Sequence, residues 1–247
     1  ANELKQASGK LLFNIGSSST FTVRGEYLDE FKENPGYLKV SNSGEVVSDD
    51  TAHYTNGEDF DDVDWKKAGV DDAFNDEQAI SLSAKYERDL SNQSGFELSY
   101  GIRNTENEGP PSYAPERGFV SGDVTNHNLV GLYNHGFNLY RSELIAGVDL
   151  QHSASDSTTF EGRSAESGIA QQWDIEAEVM SPFLQYEISP IERVRLSFGA
   201  RYDNITYSAT GYNVSRRGVR TDYDESKDFS NVSPKAGITV DLGFEQS

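Results

Sequence analysis

Apolar and polar residues alternate one by one along several stretches of this chain. In 94–104, Phe96, Leu98, Tyr100 and Ile102 share one side, and Glu97, Ser99, Gly101 and Arg103 the other. Residues 79–89 repeat this with Ile80, Leu82, Ala84 and Tyr86 against Ser81, Ser83, Lys85 and Glu87. Residues 192–203 set Val194, Leu196, Phe198, Ala200 and Tyr202 against Arg193, Arg195, Ser197, Gly199, Arg201 and Asp203. A period of two predicts β-strands with one apolar and one polar face. Lone charges turned into a dry sandwich core are costly, so the polar face must meet water.

The pattern predicts about nine strands. Four pairs are expected at 10–16 with 20–28, 79–89 with 94–104, 125–134 with 137–151, and 177–188 with 192–203. Residues 229–242 supply the last strand. Within each pair the connection is tight, as at Ser17–Ser19, Ser91–Gln93, His135–Gly136 and Ser189–Ile191. Between pairs lie long polar stretches, 29–78, 105–123, 152–176 and 204–228. Short and long connections therefore alternate, the rhythm of up-and-down strands that cross a membrane with turns on one side and loops on the other. A soluble sandwich joins its strands by shorter loops, and in one of those a loop as long as 29–78 would count against the assignment.

Composition sharpens this picture. Hydrophobic residues are 35% and mean hydropathy is −0.65, yet aromatics reach 11%. Disordered chains are poor in aromatic and β-branched residues. A barrel wall accommodates both facts, because only alternate strand residues face lipid and polar loops dilute the average. No apolar run is long enough for a transmembrane helix. Residues 1–10 are polar and lack the apolar core of a signal peptide, so any export signal is expected upstream of this stretch or removed. The absence of cysteine excludes a disulfide scaffold and a thiolate metal site. A net charge of −20 argues against a nucleic-acid partner, since phosphate binding needs clustered Lys and Arg.

Tyr27, Tyr86, Tyr100, Tyr186 and Tyr202 fall on apolar faces near expected strand ends, where a membrane interface favours amphipathic rings. Tyrosine is also simply common in strands. Pro35, Pro110, Pro111 and Pro115 fall in expected loops and Pro190 in a turn. Pro182 and Pro234 are expected near strand beginnings, where a missing donor is tolerable.

Two motifs carry a family resemblance. Gly199, Arg201, Tyr202 and Asp203 make a G-x-R-Y-D strand, and Ser233, Pro234, Lys235 and Gly237 an S-P-K-x-G strand after a loop. Together with the stretch Asn34-Pro35-Gly36-Tyr37-Leu38, they resemble the barrel strands of TonB-dependent siderophore receptors. The resemblance covers most of the chain in pattern and 196–242 in recognisable motif. It implies an all-β, antiparallel up-and-down transmembrane β-barrel segment, with short periplasmic turns and long extracellular loops, in a bacterial outer membrane. It further implies a large barrel, closed by an N-terminal plug and driven by the inner-membrane TonB complex. Residues 1–247 show no plug, no TonB-contacting box and no aromatic-terminated last strand, and nine is an odd strand number. The expectation is therefore a partial barrel domain, with plug and C-terminal strands outside the sequence. Its expected partners are outer-membrane lipid, an iron–siderophore complex and, through the plug, TonB.

Candidate chemistry is sparse. His53, His127, His135 and His152 are scattered without metal-ligand spacing, and solvated or lumen-facing histidines are the simpler reading. No Gly-rich phosphate loop and no nucleophile elbow are present, so no catalytic residue, enzymatic activity or cofactor is expected. Residues 29–78 hold fifteen Asp and Glu against four Lys and Arg, with five carboxylates in 57–65. Carboxylate clusters can hold Ca²⁺, but the spacing is not that of an EF-hand, and a solvated acidic loop is the simpler expectation. Arg216, Arg217 and Arg220 share the expected external loop 204–228 with Tyr207, Tyr212 and Tyr223, and Arg163 lies near Trp173 in the neighbouring one. Planar guanidinium groups and aromatic faces suit an anionic, aromatic iron chelate. Simple pairing of these arginines with Asp222, Asp224 and Glu225 is the competing reading. Arg103, Arg193, Arg195, Arg201 and Glu97 are expected to line the lumen and contact a plug.

The reading that unites these points is an outer-membrane receptor that binds and imports an iron–siderophore complex, energised by TonB. A porin-like channel or a loop-bearing adhesin is its rival. A soluble sugar-binding β-sandwich, with both faces explained by two packed sheets, is a third.

Overall fold

Nine antiparallel strands in one sheet, in plain sequence order, make up the computed structural model. It describes residues 2–33, 74–109, 119–161, 168–215 and 217–241. The strands are β1 (Asn2–Ile15), β2 (Ser19–Glu33), β3 (Phe74–Ser91), β4 (Ser94–Gly109), β5 (Val120–Phe137), β6 (Ser142–Phe160), β7 (Ile169–Ile191), β8 (Val194–Val214) and β9 (Arg220–Val240). One turn of 3-10 helix, Leu139–Arg141, is the single helical element among the described residues. The up-and-down all-β architecture agrees with the alternation in the sequence, and β1 and β9 form the two edges.

The sheet is inside-out compared with a soluble protein. Its apolar face is exposed: Leu184 and Phe198 are 51% accessible and Ile238 67%. Ser181, on the polar face, is fully buried. On that polar face side chains reach across an intervening strand, Arg201 of β8 toward Asp149 of β6 and Trp173 of β7 onto Tyr223 of β9. The polar face is therefore the inner, concave one.

On the outer face the apolar residues form a band of constant height. It runs through Tyr27–Phe21 in β2, Ile80–Tyr86 in β3, Phe96–Ile102 in β4, Leu144–Leu150 in β6, Leu196–Tyr202 in β8 and Val232–Ile238 in β9, every second residue. Seven residues at about 3.4 Å each run roughly 24 Å along a strand, the greater part of the about 9–11 residues with which a tilted strand crosses an outer membrane. The register climbs across this band. Phe13 opposes Phe21, then Tyr86, Leu98, Gly131, Val148 and Pro182, so a row that starts beside the β1–β2 turn ends far from the β7–β8 turn. Staggered register of this kind tilts strands against the axis of a barrel.

Strand lengths depart from the sequence expectation. β7 has 23 residues and β8 and β9 have 21 each, where the membrane needs about 9–11. Most of the expected loops 152–176 and 204–228 is strand, and β4 and β5 run well into 105–123. The hairpin β8–β9 is closed by a short turn in which the Gly218 N–H donates to Ser215 O at 2.8 Å. Residues 204–212 (Asn-Ile-Thr-Tyr-Ser-Ala-Thr-Gly-Tyr) are rich in β-formers and alternate, with Ile205, Tyr207 and Ala209 against Thr206, Ser208 and Thr210, but the apolar side is the opposite of that in 196–202, so the pattern breaks phase at Tyr202–Asp203.

Two further expectations are corrected. The β5–β6 turn lies at 138–141, not at His135–Gly136, because the Gly136 N–H is bonded to Gln93 O of the neighbouring turn at 2.6 Å. Tyr140 and Arg141 take φ values of 53° and 44° there, and buried Ser142 closes the turn by donating to Leu139 O at 2.9 Å. Pro182 and Pro234 lie mid-strand. The β7–β8 ladder passes over Ser181 and Pro182 without changing register, and Pro234 stands opposite Ala200 of β8.

Candidate ligand face on the inner wall

Inside the band, the inner face is lined by ion pairs. Lys85 Nζ lies 3.0 Å from both Glu87 and Glu97, Arg103 lies 3.8 Å from Glu77, and Arg195 3.8 Å from Glu187. Most of the lumen residues expected from sequence are thus engaged with neighbours on adjacent strands. Exposed pairs of this kind add little stability each, about 0–1 kcal/mol.

At the upper margin of the band a denser network ties four strands together. Asp203 Oδ1 accepts from Ser181 Oγ at 2.7 Å and from Arg201 Nε at 2.6 Å. The second guanidinium nitrogen of Arg201 reaches to 3.7 Å from Asp149 Oδ2. Asp149 also accepts from Asn128 Nδ2 at 3.0 Å and from Gln151 Nε2 at 3.1 Å. Arg201 and Asp203 belong to the G-x-R-Y-D strand; two residues apart, they share the inner face, and Gly199 below them leaves little room for a side chain against Leu184 O at 3.0 Å. Ser181 became visible only through the structure, because its burial depends on the interrupted ladder beside Pro182.

Above this network the inner wall changes character. A hollow of about 450 Å³ is bounded by Asn126, Asn128, Gln151, Ser153, Ser155 and Tyr207, over an apolar floor of Ile175, Ala177 and Val179. Beyond it Trp173 stacks on Tyr223 with ring centres 5.1 Å apart, and Tyr207 meets Phe229 edge-on at 6.3 Å. Gly211 makes the first pair feasible. It opposes Trp173 in register, and a Cβ there would fall 2.2 Å from Gln172 O and 2.9 Å from the indole. Only a bare Cα lets the ring of Trp173 cross β8 to reach β9.

The residues grouped from sequence are thereby divided. Trp173 and Tyr207 face inward. Tyr212 and Arg220 lie on the outer face, where the guanidinium sits 3.7 Å over the Tyr212 ring and donates to Asp222 Oδ1 at 2.7 Å. Arg217 lies in the β8–β9 turn. Arg163, Arg216 and the acidic stretch 57–65 lie outside the described residues. All four of Trp173, Tyr207, Tyr212 and Arg220 are on strands and not in loops. The outer face also brings together His127 and His152, with ring centres 6.0 Å apart and Tyr100 Oη 2.7 Å from His127 Nδ1. Among the described residues no group of three His, Asp or Glu is arranged to hold a metal ion.

The family model for "TonB dependent receptor-like, beta-barrel" matches residues 13–243. The chain belongs to this family. The motifs Gly199–Asp203 and Ser233–Gly237 lie within the match, and the family is one of receptors. No curated protein matches the chain. Among solved structures, the ferric yersiniabactin uptake receptor FyuA from Yersinia pestis aligns with a TM-score of 0.72 at 9% identity, over 98% of this chain and 35% of its own. The siderophore receptor PiuA from Acinetobacter baumannii aligns at 0.68 and 13% identity, over 98% and 40%. The ferric-catecholate import receptor Fiu from Escherichia coli K12 aligns at 0.63 and 14% identity, over 98% and 45%. This receptor chain therefore spans less than half the length of those three proteins, and at such identities the likeness is one of fold.

Proposed function

We propose that this TonB-dependent receptor chain is part of the wall of an outer-membrane importer that captures an iron–siderophore complex from outside and releases it inward on energy from TonB. The observation that carries the reading is the wall's two-part build. An apolar outer band backs a charged inner face, and strands project beyond it with an inner hollow and an aromatic tier. The projecting wall offers the ligand surface, and the charged lining below offers pairing partners for a plug. No covalent chemistry is needed, since binding and gating perform the task. The names of FyuA, PiuA and Fiu, each a receptor for an iron complex or siderophore, favour the same cargo class here.

The test is iron uptake by cells that carry the intact gene, its deletion, and the intact gene without TonB. Uptake of a radiolabelled ferric siderophore that needs both the receptor and TonB is the expected result. Uptake unchanged by deletion, or independent of TonB, would overturn the proposal and favour a channel or adhesin.

A further inference from the structure

On the outer face, opposite the importer's ligand surface and independent of it, we infer that His127 and His152 form a two-imidazole site for a divalent transition-metal ion of the zinc kind. The two residues stand directly opposite each other on β5 and β6, with ring centres 6.0 Å apart. They lie just above Leu129 and Leu150, at the margin where the apolar band meets water. With metal–nitrogen bonds of about 2.0–2.1 Å, two imidazoles on one ion have ring centres roughly 5–6 Å apart. The pair already stands at that spacing. Each ring also has a partner on Nδ1. Tyr100 Oη of β4 lies 2.7 Å from His127 Nδ1, and Glu178 Oε1 of β7, opposite His152 in register, lies 3.7 Å from His152 Nδ1. A carboxylate only accepts, so Glu178 draws the proton of His152 onto Nδ1 and leaves the Nε2 lone pair to a ligand. Tyr100 Oη accepts from His127 in the same tautomer. A partner on one ring nitrogen, with the other nitrogen open, is what orients metal-binding histidines.

A hollow of about 450 Å³ opens beside the pair, between Leu129, Leu150 and Met180 of the band and Asn204 and Thr206 above it, with room for an ion and its waters. Among the described residues no third His, Asp or Glu completes the set, so water fills the remaining positions. The surrounding charge favours a cation. On the outer faces of β4 to β8 above the band, Glu106, Asp123, Asp156, Asp174 and Glu176 project, and no Lys or Arg does among the described residues. Arg220 lies on the same face but at the far end of β9. These carboxylates raise the local concentration of any divalent cation. The imidazoles decide which kind is held, since nitrogen ligands suit zinc and copper, whereas calcium and magnesium take oxygen.

The experiment is calorimetric titration of Zn²⁺ into the untagged full-length receptor in detergent, with Mg²⁺ in excess throughout. Micromolar binding of Zn²⁺ that Mg²⁺ does not block is expected. His127→Ala and His152→Ala should each weaken it on the order of tenfold or more, and Glu178→Gln severalfold, because that change loosens only the orientation of His152. Unfolding in urea supplies a second readout, since a bound ion stabilises the folded state by mass action. Zn²⁺ should raise the midpoint of the wild-type receptor and leave that of the His127→Ala/His152→Ala double variant where it was. Heat-modifiable gel mobility checks that each barrel is formed. No Zn²⁺ binding by the wild-type receptor, or binding undiminished in the double variant, would overturn the inference. So would displacement by Mg²⁺, or loss of Zn²⁺ in Asp156→Asn/Asp174→Asn with both histidines intact, either of which assigns the ion to the carboxylates. None of these outcomes touches TonB-dependent uptake, which tests the inner face.

Discussion

The membrane band and the projecting half of β5 to β8 carry their charges on opposite faces. In the band the outer face is apolar, and the inner face holds Lys85, Glu97, Asp149, Glu187, Arg195 and Arg201. Above it the outer face is acidic, with Asp123, Asp156, Asp174, Glu176 and Glu178, while the inner face is neutral and aromatic. The exchange occurs at the level of Tyr202 and Asp203, the end of the G-x-R-Y-D strand. Lipid forbids charge on the outer face of the band, so all charge there collects inside. Once both faces meet water that constraint ends, and each face is free to serve a different purpose.

Substitutions placed on either side of that boundary break or sharpen the contrast. The largest effect is expected from Leu184→Arg, on the outer face within the band, which should cost about 2–4 kcal/mol in urea titrations of the barrel refolded into lipid vesicles. Glu176→Arg, on the same face of the same strand above the band, should cost close to nothing, and an equal cost for the two would erase the boundary. Next is Gly211→Val on the projecting wall, expected to lose about 1–3 kcal/mol because the new Cβ meets backbone of β7 as well as the indole. A blue or red shift in the emission of Trp173, read in a Trp65→Phe background, should accompany it. Asp203→Ala is expected to cost about 1 kcal/mol, since it strips the acceptor from buried Ser181 and from Arg201. Double-mutant cycles with Ser181→Ala would show coupling if the network is real.

The smallest effect concerns pH. Asp174 lies above the band and opposes Asp156 in register. A hydrogen bond to Asp156 holds its carboxyl above the usual range, with burial and the Asp156 charge acting in the same direction. A raised carboxyl in the folded state contributes stability below its unfolded value and loses it as pH rises through the folded one. Asp174→Asn should therefore flatten the decline in stability just above the ordinary carboxylate range, and an unchanged pH profile would dissolve the pairing.

The band was legible in the sequence because lipid on one face and water on the other impose a strict period of two. Phe96 to Ile102 and Leu196 to Tyr202 each display it within a few residues. The projecting strands alternate too, but out of phase with the band: Trp173, Ile175, Ala177 and Val179, and Ile205, Tyr207 and Ala209, put the apolar side on the inner face, so the pattern breaks near Tyr202 and Asp203 and reads as a strand end. For the same reason Tyr207, Tyr212 and Arg220 were expected in one long loop and Trp173 in its neighbour. The parity of their positions, invisible without knowing that β8 runs unbroken to Val214, sends Tyr207 and Trp173 inward and Tyr212 and Arg220 outward.

The sequence by itself determined the class of fold and the apolar faces of the band, written in local alternation, and the motif strands that mark the family, written in short runs of residues. Tertiary structure alone decided the register, the burial of Ser181, the reach of Trp173 over Gly211 and the hollow beneath Tyr207. Those depend on which residues of separate strands stand opposite one another, and that pairing is fixed by the whole sheet and not by any stretch within it.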